Sequence, residues 1–71
     1  MSLIRIQEYA MGAFRVSKLA KCKKGQTIKA RFEIVRAKYI AMLVERGWAE
    51  SDAAIAIKDA EDMAMLELAA A

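Results

Sequence analysis

Apolar side chains recur along this chain at intervals of three and four, the spacing that lines one side of an α-helix, in three runs divided by Gly25 and Gly47. Each dividing glycine stands where a left-handed residue would close a helix. The pattern predicts an all-α fold: a small three-helix bundle in one domain over residues 1 to 71, with helices at about 3 to 23, 27 to 46 and 49 to 69.

The second junction carries the fuller signal. Gly47 suits the left-handed position after a helix, Trp48 precedes the next helix where it can pack against Ala53, and Glu50 and Asp52 favour the positive end of the new helix dipole. Ala49 is a poor N-cap, which shifts that role to Ser51. At the first junction Lys21, Lys23 and Lys24 complement the negative end of the first helix, and Thr27 caps the second. A β-hairpin through Gly25 competes over residues 14 to 35, because Ile28, Ala30, Phe32 and Ile34 alternate and Val16, Lys18, Ala20 and Cys22 do so less regularly. The continuation of Phe32 into Val35, Tyr39 and Met42 favours the helix.

Placed at 100° per residue, the middle run yields two apolar stripes. Ile28, Phe32, Val35, Tyr39, Met42 and Leu43 form one of large side chains; Ala30, Ile34, Ala37, Ala41 and Val44 form an opposite one of mostly small side chains. The expectation is a central helix buried on both faces. The third run offers Ala53, Ala56, Ile57, Ala60, Met63 and Ala64 to the small stripe, and the first offers Leu3, Ile6, Ala10, Ala13, Phe14 and Ala20 to the large one. Ile4, Met11, Ile55, Met65 and Leu66 fall outside these faces and are, with Trp48, the candidate partner-binding residues.

Composition adds a reason to expect a partner. Hydrophobic residues make up 58% of the chain, Ala alone occurs 15 times, and proline is absent. That exceeds the ~45 to 50% of ordinary soluble domains, and a core of this size typically supplies only ~3 to 5 kcal/mol. With Cys22 as the single cysteine and no histidine, neither a disulfide nor a zinc site reinforces it. Completion by dimerisation is the expected support.

Uncharged stretches reach only six residues, at Tyr9 to Phe14 and Tyr39 to Val44, against the ~20 needed to cross a bilayer. The reading is no membrane span, no secretory signal and a cytoplasmic setting suited to a lone thiol.

The net charge of +3 hides a polarity: residues 1 to 25 carry +5, residues 26 to 49 carry +3 and residues 50 to 71 carry −5. Lys18, Lys21, Lys23, Lys24, Lys29 and Arg31 gather around the first junction as a basic patch that nucleic acid could use. A solvated helix end explains the same charges, and few residues of the base-reading types accompany them. A helix-turn-helix does not fit, since aligning Ala20 on its alanine puts Lys23 and Lys24 where an apolar residue and glycine belong.

No metal-ligand spacing, phosphate-cradling glycine loop or nucleophile with a histidine base is present, so no cofactor, metal or small-molecule substrate is expected. Asp52, Asp59, Glu61, Asp62 and Glu67 read as a solvated or ion-paired face. The five methionines read mostly as core filler, and Cys22 without a base reads as incidental. The function expected is that of a non-enzymatic helical interaction protein: an adaptor, regulator or inhibitor that binds a protein partner and self-associates. The alternative is a nucleic-acid-binding regulator. The small size suits an accessory protein of a phage or mobile element.

Overall fold

The computed structural model describes residues 3–21 and 24–70, and these form three α-helices: α1 (Leu3–Leu19), α2 (Ile28–Glu45) and α3 (Glu50–Ala70). No strand occurs among the described residues, which removes the hairpin alternative. α1 and α2 run antiparallel, with Phe14 and Phe32 meeting edge to face at 5.1 Å between ring centroids. α1 and α3 run parallel: Gln7 reaches the Ala56 carbonyl near one end, and Arg15 meets Glu67 near the other.

Helix ends follow local chemistry. Thr27 is extended and its Oγ1 accepts from the Ala30 N–H at 3.0 Å, the N-cap expected for α2. α2 closes in a Schellman turn: the Trp48 N–H donates to the Leu43 carbonyl, the Gly47 N–H donates to Val44, and Gly47 takes φ +95°. A side chain at that φ would strain against its own carbonyl, so glycine is required there. Trp48 then folds back against the core that contains Ala53.

Two boundaries differ from the sequence pattern. Ala49, not Ser51, is the N-cap of α3: its carbonyl accepts from the Ala53 N–H, and Glu50 and Asp52 supply the favourable charge that the cap side chain lacks. α1 stops at Leu19 and not near Lys23, so only Lys18 lies in its last turn. The cause is tertiary. Arg31 of α2 donates to the carbonyls of Ser17, Ala20 and Lys21, satisfying the helix end from outside and turning the chain away.

The core consists of Ile6, Ala10, Met11 and Phe14 from α1, Phe32 and Leu43 from α2, and Ala53, Ala56, Ile57, Ala60 and Ala64 from α3. Leu3, Val35, Tyr39, Ile40, Trp48 and Met65 pack around it. The expected faces of α1 and α3 are largely those buried, with four exceptions: Ala20 and Met63 are exposed, and Met11 and Glu61 are buried.

The doubly buried central helix is not observed. On α2 the stripe of large side chains is buried or half-buried apart from Ile28, whereas Ile34 is 64% and Val44 42% exposed, and Ala37 and Ala41 are open to solvent as well. The reason is the packing geometry. α1 and α3 pack directly on each other as well as on α2, so each helix meets its two neighbours on one side and none has a neighbour on its back.

Candidate interaction surface

The back of α2 carries an apolar strip left uncovered. Ile34, Ala37, Ala41 and Val44 follow one another at steps of three, four and three residues, which sets them in one row along the helix. Across a shallow groove of about 260 Å³ from Ile34, at one end of the row, stand Val16 and Ala20 of α1, with Val16 66% exposed. Ser17, Gln26, Arg31 and Val35 complete that groove. On the flank of the row that adjoins α1 lie Lys38 and Glu45, both exposed and neither in an ion pair among the described residues. Lys38 instead leans over the Tyr39 ring at 5.7 Å.

A second groove, of about 390 Å³, runs between α1 and α3 and is lined by Ile4, Gln7, Glu8, Met11, Arg15, Met63 and Glu67. The Arg15 to Glu67 pair, 2.6 Å apart, bridges it.

The expected partner-binding residues separate into two groups. Ile4, Ile55 and Leu66 are exposed, as their positions implied. Met11 is only 8% exposed and Met65 is half-buried against the core, so neither is a free contact; Trp48, also half-buried, serves the junction. Met11 turns inward because α3 lies beside α1 on that flank, a contact that a single-helix pattern does not encode. Ile55 and Leu66 point away from the bundle and share that face with Asp59 and Asp62, so they are isolated apolar points among acids. Sequence reasoning missed Val16, Ile34 and Val44, because Ile34 and Val44 had been assigned to an interior stripe. Their heptad-like spacing was the signal.

The basic patch also divides. Lys18, Lys21, Lys24 and Lys29 are exposed and make no ion pair among the described residues, while Lys23 and Cys22 lie outside those residues. Arg31 does not belong to the patch. Its guanidinium is half-buried and committed to Gln26 Oε1 and three carbonyls of the α1 end.

The acidic series is ion-paired in part. Glu61, 4% exposed, accepts from Arg36 Nε and Nη2 at 3.1 and 2.9 Å through one carboxylate oxygen, and from Lys58 Nζ at 3.1 Å through the other. Lys58 also pairs with Asp62 at 3.0 Å. The hydrogen bond to Asp62, then that to Glu61, raises the Lys58 ammonium above its ordinary pKa. No group of three acidic or thiol side chains converges as a metal site among the described residues. No helix is long and apolar enough to cross a membrane.

Comparison with protein-family models, curated proteins and solved structures finds no match to this chain.

Proposed function

We propose that this protein is a non-enzymatic interaction module, an adaptor, regulator or inhibitor, that binds a protein partner through the apolar back of α2 and the adjoining edge of α1. One observation carries the reading: a row of four apolar residues on α2 lies open to water, with Val16 and Ala20 across a groove from Ile34 at its end. Apolar side chains set contiguously on a rigid helix are the usual anchor of a helix-in-groove or helix-on-helix contact. Charged groups rim the strip without crossing it, which fits the apolar centre and polar border of protein interfaces.

A photo-crosslinking side chain at position 34 tests this in native extract. The expected result is a covalent adduct to protein, lost when Val16→Asp is added while circular dichroism shows the helices intact. Absence of any protein adduct sinks the reading.

The four unpaired lysines around the first junction support a second reading, contact with nucleic acid phosphates. It ranks lower because the loss of Arg31 to a structural role removes the one patch residue suited to bidentate recognition.

A further inference from the structure

We infer that the C-terminal half of the α2 back face, around Ala41 and Val44, is covered by a second copy of this chain, laid antiparallel about a twofold axis near Ala41. The inference rests on the interaction reading above and deepens it by naming the partner. Three observations carry it.

The first is charge. Lys38 and Glu45 sit on the same flank of the exposed row, seven residues apart, with opposite signs and no ion-pair partner among the described residues. A twofold axis perpendicular to two antiparallel helices keeps that flank of each copy on the same side. When the axis passes midway between the two residues, Lys38 of each copy meets Glu45 of the other, and the pair forms twice. The flank is therefore complementary to itself.

The second is shape. The outward residue nearest that midpoint is Ala41, and small side chains at a crossing point let two helices approach to ~8 Å. Val44, three residues from Ala41, and Ala37, four residues away on the other side, flank the crossing point, and Ile34 stands further out.

The third is area. The folded chain exposes 4953 Å² and has a mass of 7.9 kDa; size scaling assigns roughly 4,400 Å² to a monomer of that mass, about 500 Å² less. A second copy on the apolar face would cover part of that excess, in the symmetry commonest among small soluble assemblies.

The test is sedimentation equilibrium of the full chain, with charge exchange. The wild type is expected to dimerise. Lys38→Glu alone, and Glu45→Lys alone, each set like charges together twice and are expected to weaken dimerisation by about tenfold. The double variant Lys38→Glu with Glu45→Lys restores affinity to within about threefold, because the pair reforms with its signs reversed. Ala41→Arg abolishes the dimer while helicity is kept, since Ala41 is exposed in the monomer. A wild type that is monomeric at about 1 mM, weaker than specific pairing allows, overturns the inference. So does a dimer indifferent to Ala41→Arg, or single charge variants whose loss the double variant does not repair. The crosslink at position 34 keeps the two ideas apart: an adduct with a different protein and no adduct of twice the chain mass ends self-pairing and leaves the interaction reading standing, whereas no protein adduct ends both.

Discussion

Glu61 shows how a single residue can depart from its pattern and still be satisfied. Its carboxylate is nearly sealed from water, while Arg36, its main partner, keeps about a third of its side chain exposed. Removing the two partners therefore has unequal consequences. Arg36→Met leaves a buried carboxylate with only the exposed Lys58 to answer it, and should cost about 2 kcal/mol in urea unfolding. Glu61→Met leaves an arginine that can turn to solvent and adds apolar packing at the α2 to α3 contact, and should cost less than about 1 kcal/mol. The double variant should recover most of the Arg36→Met loss, and equal costs for the two single variants would refute this asymmetry.

Between residue and whole molecule, the end of α1 is decided by another element. A helix leaves its last carbonyls without partners, and here the guanidinium of Arg31 collects those of Ser17, Ala20 and Lys21 while Gln26 holds it in place. Arg31→Ala should destabilise the chain by about 1 to 2 kcal/mol and lower its helix content at the α1 end, read by urea unfolding and by amide exchange at Lys18 to Ala20. Arg31→Lys should recover less than half of that, because one ammonium cannot span three carbonyls as the planar fork does. Full recovery by lysine would show that charge alone closes the helix. α2 needs no such help at its own end, where Gly47 and the Schellman turn satisfy the carbonyls locally.

Across the whole molecule, the basic first half and acidic third helix are joined by pairs that cross between elements, Arg15 with Glu67 and Arg36 with Glu61. These pairs consume two arginines and the α1 end a third, so around the first junction the exposed positive charge is carried by the flexible side chains of Lys18, Lys21, Lys24 and Lys29. If those lysines contact phosphates, retention on DNA or RNA should fall steeply with salt, and Lys21→Glu with Lys24→Glu should remove it while Arg31→Ala leaves the salt slope unchanged. A chain that is not retained even at low salt would end the nucleic-acid reading.

By itself, the sequence determined the number of helices, the caps at Thr27 and Gly47, and the inward faces of α1 and α3, because each depends on residues within one or two turns of one another. Exposed positions such as Ile4, Ile55 and Leu66 were legible for the same reason. Tertiary structure decided the rest. A helical wheel shows that α2 has two apolar stripes, but which of them is buried depends on where the neighbours stand. Once α1 and α3 pack against each other, both lie on one side of α2, so its large stripe turns inward and its small stripe is left outside. The same arrangement draws Met11 and Glu61 inward and sends Arg31 to the end of a distant helix. Periodicity records what a helix can bury; only the directions of its neighbours fix what it does bury, and so where this molecule keeps an apolar face in reserve.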